Sequence, residues 1–197
     1  MNNKIINIII AGTGGQGVNS LYRVFLSLCA KNNFYTKSAL YKGGSQRHGS
    51  VHTTLRLFVG NNQDFQWFSS QIKENGLDLL IGLEPWETIR YNRYIGKETK
   101  IWSNTHVVPL FSERFRNMDT CNPLEILKSF GGQVKFENYS SKAMEIYKDF
   151  RMANYLIGKD IIQSGILPFK INEYINTFIE QLNLSKKIEK QILEEII

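Results

Sequence analysis

Cysteine is scarce in this chain: 197 residues contain two, Cys29 and Cys121, and neither belongs to a CxxC pair. A self-contained iron–sulfur cluster or structural zinc site needs about four thiolate or imidazole ligands, so neither is expected here. Two isolated thiols fit a reducing, cytoplasmic setting. Long apolar runs are missing as well. None approaches the ~20 residues needed to span a membrane, and the run 5–11 is too short, and too soon followed by a turn, to act as a signal peptide. Lysine and arginine outnumber acidic residues 24 to 18, for a net charge of +6. They are scattered, and without a basic stripe no nucleic-acid partner is expected. Repeats, low-complexity tracts and linkers are absent too, so residues 1–197 read as a single domain. With 42% hydrophobic and 21% charged residues the composition is that of a globular chain.

What is present begins with Ile5-Ile6-Asn7-Ile8-Ile9-Ile10-Ala11. This β-branched run suits a strand buried on both faces. A glycine cluster, Gly12-Thr13-Gly14-Gly15-Gln16-Gly17, follows it. Over 18–31, Val18, Leu21, Phe25, Leu28 and Cys29 then fall on one helical face. The order is strand, tight turn, helix. Glycine allows positive φ and close approach to the backbone, and the turn leaves amides exposed at the positive end of a helix.

The same alternation continues along the chain. Strands are expected at 35–41, at 50–59 with its period-2 pattern, and at 77–82, 100–103 and 134–136, with a further short one at 107–110. A helix from Pro85 to about Tyr94 has its proline in the first turn, where the missing N–H is no loss. Asn122 can cap a helix over 123–130 that Gly131-Gly132 stops. Residues 140–164, 171–182 and 185–197 read as helices. The aromatic patch Phe65, Trp67, Phe68 fits no element clearly. Together these predict an α/β fold: a Rossmann-like, largely parallel sheet with helices on both faces and a helical C-terminal region.

Gly12, Gly14 and Gly17 satisfy GxGxxG in the strand-to-helix context that motif requires. A dinucleotide site also wants an acidic residue about 20 positions on, for the ribose hydroxyls. Here the next acidic residue is Asp64. Lys37 is the one cation placed to meet a 2′-phosphate. Binding of NAD(P) or FAD by a free-standing oxidoreductase is therefore one reading, and a bare βα turn another. A third is an interaction surface. Gln16 adds a side-chain donor and acceptor, and in a parallel sheet the segment 42–50 would bring Gln46, Arg47 and His48 beside the loop at the carboxyl edge, where such folds bind ligands.

Several blocks then resemble a known family. They are the glycine loop 12–17, Gln46-Arg47-His48-Gly49-Ser50-Val51, Leu79-Leu80-Ile81-Gly82-Leu83-Glu84-Pro85-Trp86-Glu87-Thr88-Ile89-Arg90, and Ala153-Asn154-Tyr155-Leu156-Ile157-Gly158 followed by Leu167-Pro168. In this order they are similar to the gamma-type subunit of 2-oxoacid:ferredoxin oxidoreductases, in particular those acting on indolepyruvate. The resemblance implies one pyruvate/ketoisovalerate oxidoreductase gamma-type domain, inactive alone and part of a heteromeric complex. In that family a large partner chain carries thiamine diphosphate, Mg²⁺ and the iron–sulfur clusters. The complex decarboxylates a 2-oxoacid oxidatively, passes electrons to ferredoxin and releases an acyl-coenzyme A. The cysteine count agrees, and no glutamate-plus-metal motif for thiamine diphosphate is evident here. One departure is His48, where the family more often has glycine.

The resemblance and the residue types together nominate a site. Gly12, Gly14, Gly15, Gln16 and Gly17 would lie near the partner's active site, with Gln46, Gly49, Ser50 and Glu84 facing substrate or partner. Arg47 is the candidate for meeting an anion, and His48 beside it is a group able to titrate near neutrality. Glu84 is equally suited to capping the helix that starts at Pro85. His52 and His106 read as structural, Trp86 as core or interface packing. The amphipathic helix with Ile188, Ile192, Leu193 and Ile196 fits packing on its own domain or on a partner.

Overall fold

A computed structural model describes residues 3–43, 49–60, 68–108, 121–130 and 132–195. The isoleucine-rich run forms β1 (Lys4–Thr13), central in a six-stranded sheet. The other strands are β2 (Thr36–Lys42), β3 (Ser50–Val59), β4 (Leu77–Gly82), β5 (Ile95–Asn104) and β6 (Gln133–Glu137). Their order across the sheet is β2-β3-β1-β4-β5-β6. β1, β4, β5 and β6 pair in parallel, whereas β3 is antiparallel to both β1 and β2. Five strands therefore point one way and β3 the other. The largely parallel α/β sheet expected from the sequence is present, with a hairpin-like β2–β3 pair at one end.

Alternation along β1 divides the core. Ile6, Ile8 and Ile10 join Leu55, Leu57, Leu79 and Ile81 on the larger face. Covering it are α1 (Val18–Lys31), α4 (Tyr139–Tyr147), α5 (Ala153–Gln163), α6 (Ile171–Gln181) and α7 (Lys186–Leu193). Ile9 and Ala11 join Leu80, Ile95 and Ile101 on the smaller face. There the cover is α2 (Pro85–Ile89), a 3₁₀ turn (Asn92–Tyr94) and α3 (Pro123–Ser129) with the Phe130 that follows it. Each buried Ile or Leu removed from water contributes about 1.5–3 kcal/mol, so both faces hold the sheet. α7 packs on its own domain, with Ile192 fully buried against this core.

The structure corrects three element boundaries. The helix expected to reach Tyr94 ends at Ile89, because the Thr88 hydroxyl bonds back to the Glu84 carbonyl and Tyr91 N–H bonds to Thr88 in a tighter turn. The helix expected over 140–164 breaks at Lys148 (φ 58). Asp149 there starts a new turn (Phe150–Met152) by accepting the Arg151 N–H. Residues 107–108 form no strand, since Val108 N–H bonds to Glu84 instead of to a neighbouring strand. Residues 109–110 and the aromatics Phe65 and Trp67 lie outside the described residues.

Candidate functional site

The glycine loop leaves the carboxyl end of β1 at the point where the sheet order runs outward in both directions, the usual ligand crevice of open α/β sheets. Its conformation is set by contacts within the chain. Gln16 Oε1 accepts the Thr13 N–H at 2.8 Å, and Gln16 N–H returns to the Thr13 carbonyl at 3.2 Å. Gly14 N–H donates to the Gly49 carbonyl at 2.9 Å. The Gln16 acceptor foreseen for a ligand is thus turned back on its own loop. Gly17 (φ 87) caps α1 without a side chain. Gly15 (φ 97) has open space where a side chain would begin. At Gly12 a Cβ would come within 3.1 Å of Leu83 Cβ, so its bare backbone serves packing between β1 and the exit of β4.

Of the second expected segment, Gly49 and Ser50 meet this loop, by a different route from the one foreseen. Antiparallel β3 brings Ser50 opposite Thr13 and Val51 opposite Gly12, while β2 ends at Lys42 opposite Val51. Gly49 and Ser50 are therefore beside the glycine loop. Gln46, Arg47 and His48 lie outside the described residues. Lys37 is paired opposite Arg56, which itself faces Asn7. That places it five residues, roughly 16 Å, from Gly12 along the strand direction. It is remote from the loop, so the 2′-phosphate role foreseen for it has no geometry. With β3 inserted, β2 is not the neighbour of β1 as in a dinucleotide-binding βαβ unit, and the Thr13, Gly14 and Gln16 amides are already engaged.

The loop walls a cavity of about 680 Å³. Gly14 and Gly15 of the loop border it, together with Leu83, Val108, and Ser140 and Ser141 in the first turn of α4. Phe150 and Met144, 58% and 45% exposed, stand at it as apolar side chains open to solvent. Buried Asn104, at the end of β5, staples this wall by donating to the Leu83 carbonyl (3.3 Å) and the Ser140 hydroxyl (2.8 Å). Asn138 caps α4 by accepting Ser141 N–H. His106, read from sequence as structural, is exposed and lines the cavity. No carboxylate or thiol belongs to the described residues lining it. The cavity offers hydroxyls, an imidazole, two carboxamides and apolar walls, a set suited to binding rather than to covalent work.

Glu84 does not face this cavity. It is 1% exposed, and its oxygens accept Glu87 N–H at 2.8 Å and Val108 N–H at 3.1 Å. Burial pushes its carboxyl above the ordinary range, against the pull of those amides and with neighbouring Glu87 adding to the rise. The helix-cap reading is the one this geometry supports, and a contact with substrate or partner is not available to a carboxylate so enclosed. Its second amide also pins residue 108 as part of the cavity wall.

A cluster invisible in the sequence lies on the smaller sheet face. His52 stacks on Tyr41 (4.5 Å between ring centres) and tilts against Tyr91 (4.9 Å). Burial lowers its affinity for a proton, partly offset by Glu87, and Tyr91 bonds to the Ser50 hydroxyl. Only the register that sets Tyr41 opposite His52 reveals it.

Cys29 is buried, and burial pushes its thiol up to about 12, far from the thiolate a cluster requires. Among the described residues no group of three His, Cys, Asp or Glu could hold a metal ion. The described side chains thus assemble no set of thiolates for an iron–sulfur cluster. Nor is any described helix long and apolar enough to cross a membrane.

Fold and site together define an open, doubly wound α/β domain with a glycine-walled cavity at its carboxyl edge. The chain belongs to the pyruvate ferredoxin/flavodoxin oxidoreductase family, whose model matches residues 7–165. It is 30% identical over 103 residues to the indolepyruvate oxidoreductase subunit IorB of Archaeoglobus fulgidus, covering 52% of this chain and 48% of that one. Against IorB of Pyrococcus horikoshii it is 28% identical over 106 residues, covering 54% and 50%. The chain spans about half the length of these curated relatives. Among solved structures, the pyruvate oxidoreductase subunit PORC of Thermotoga maritima matches with a TM-score of 0.66 at 13% identity, over 96% of this chain and 91% of that one. The 2-oxoglutarate:ferredoxin oxidoreductase of Magnetococcus marinus, solved with 2-oxoglutarate, coenzyme A and succinyl-CoA, matches with 0.69 at 14% identity, over 97% of this chain and 29% of that one. These two likenesses establish the fold.

Proposed function

We propose that this chain is the gamma-type subunit of a cytoplasmic 2-oxoacid:ferredoxin oxidoreductase acting on indolepyruvate or another arylpyruvate, with residues 1–197 forming one such domain. The observation that carries the proposal is the 680 Å³ cavity: it opens at the carboxyl edge beside the bare Gly14-Gly15 backbone, and the described side chains lining it include no carboxylate or thiol. Such a site binds and orients. The chemistry belongs to a large partner chain holding thiamine diphosphate, Mg²⁺ and iron–sulfur clusters, for which the donor set here is unsuited. This chain's part is to present the loops 12–17 and 43–50 toward that centre, to shape access for the 2-oxoacid or coenzyme A, and to fix the assembly. Arg47 would meet an anionic group of either molecule or of the partner, with His48, Gln46, Gly49 and Ser50 around it. Ferredoxin is reached through the complex.

The test is reconstitution. The chain alone should show neither iron nor flavin absorbance and no turnover. Together with its large partner it should support arylpyruvate- and coenzyme A-dependent reduction of ferredoxin. Saturable binding of NAD(P) or FAD by the chain alone, abolished by Gly14→Ala, would overturn the proposal in favour of a free-standing dehydrogenase.

A further inference from the structure

The glycine loop is a partition between two cavities. Gly15 borders the 680 Å³ space and also a second one of about 310 Å³. The turn 149–154 reaches both: Phe150 and Ala153 line the larger, Asp149, Met152 and Asn154 the smaller. Asn154 touches the loop itself. It is 4% exposed, sits in the first turn of α5, and donates Nδ2–H to the Gly17 carbonyl at 3.3 Å. That carbonyl also accepts Leu21 N–H at 3.0 Å, a bond of the first turn of α1. The approach is close, since a Cβ on Gly17 would lie 2.2 Å from Asn154 Nδ2 and 2.9 Å from its Cγ.

The loop is held at three places: Gln16 to Thr13, Gly14 to Gly49, and Asn154 to Gly17. The first two lie within the loop or along the sheet edge. Asn154 alone comes from the helical layer. Gly17 caps α1 with no side chain of its own, a position where serine or aspartate would ordinarily fix the helix start. At Gly15 a Cβ would meet nothing within 4 Å, so no side chain packs against that side of the residue.

We infer that Asn154 is a positioning residue: its carboxamide, bonded to the Gly17 carbonyl and wedged against the Gly17 α-carbon, fixes the direction in which the Gly15 peptide faces the large cavity. The inference rests on reading that cavity as the ligand site. The contact requires a donor, because its partner is a carbonyl oxygen. Aspartate has the same shape but presents acceptors to that oxygen, and alanine removes both the bond and the wedge.

Amide exchange on the full chain tests the hold directly. Asn154→Asp and Asn154→Ala should speed exchange at Gln16 and Leu21 roughly tenfold, with Leu55 and Leu57 of β3 unchanged. Unaltered exchange at Gln16 and Leu21 in both variants overturns the inference, as does acceleration spread equally into β3. In the assembled complex, with coenzyme A as the varied substrate, both variants should raise KM about tenfold and leave kcat within about twofold. Faster exchange at Gln16 and Leu21 with an unmoved KM upholds the grip of Asn154 on the loop and counts against the cavity as the coenzyme A site.

Discussion

Two loop glycines that look equivalent in the sequence differ sharply in their surroundings. Both take positive φ, which costs a residue with a side chain about 1–2 kcal/mol. Gly15 is otherwise in open space, while a side chain at Gly17 must displace Asn154. Gly15→Ala should therefore lose only the backbone strain, and Gly17→Ala distinctly more. For a chain of this length each kcal/mol lowers Tm by about 2–4 °C, so a calorimetric scan ranks them. Equal losses would mean that the approach of Asn154 is unimportant. Glu84 gives a second comparison. Removing both acceptors in Glu84→Ala should cost about 1–3 kcal/mol through the lost cap and the orphaned Val108 N–H, and Glu84→Gln less, read from urea denaturation midpoints.

Among the elements, α5 and α7 are tied down by carboxylates that each gather several donors. Asp160 on α5 accepts from Trp102 on β5, Lys135 on β6 and Tyr139 on α4. Glu195, just past α7, accepts from Tyr147, Tyr155 and Lys159. Partial burial pushes both carboxyls up, but the gathered donors hold both below the ordinary range. A carboxyl lowered on folding stabilises the fold above its unfolded pKa, near 4, and loses that contribution as pH falls through the folded value. Glu84, raised by burial, works in the opposite sense and damps the acid limb. Asp160→Asn should thus lower stability at pH 7 and have little effect near pH 2, flattening the pH profile of the urea midpoint. An unchanged slope would show that the hub is neutral to folding. Ile192 carries the apolar side of α7, and Ile192→Ala should cost about 2–5 kcal/mol for a fully buried isoleucine. A loss under about 1 kcal/mol would place that helix off the core.

For the molecule as a whole, the prediction concerns assembly. Arg47→Ala should reduce turnover of the reconstituted complex severalfold while leaving the Tm of this chain within about 2 °C, the outcome expected of a residue that meets an anion of the complex and not its own fold. A large drop in Tm would make Arg47 a structural residue instead. Much of the scaffold was legible beforehand: α1, β3 and β4 lie where hydrophobic period and glycine punctuation put them, because local spacing and burial agree there. Asn122 caps α3 as its residue type foretold. The breaks after Ile89 and at Lys148 were not legible, since each is set by a local bond, Tyr91 N–H to the Thr88 carbonyl and Arg151 N–H to the Asp149 carboxylate, that residue spacing does not announce.

The glycine loop and the segment before β3 stand out in the sequence by residue type, spacing and likeness to a family, and conformational freedom is a property of the residue. How they meet is a property of pairing. Antiparallel β3 places Gly49 against Gly14 and puts Tyr41 on His52, because a strand's direction is settled by its neighbours in space. The same holds for Glu84, whose spacing permits a cap or an exposed contact, and for which only enclosure by 87 and 108 decides. Linear order thus determined the family, the strand-and-helix alternation and the bare loop. Packing decided which side chains face the cavity, since facing depends on contacts between residues far apart along the chain.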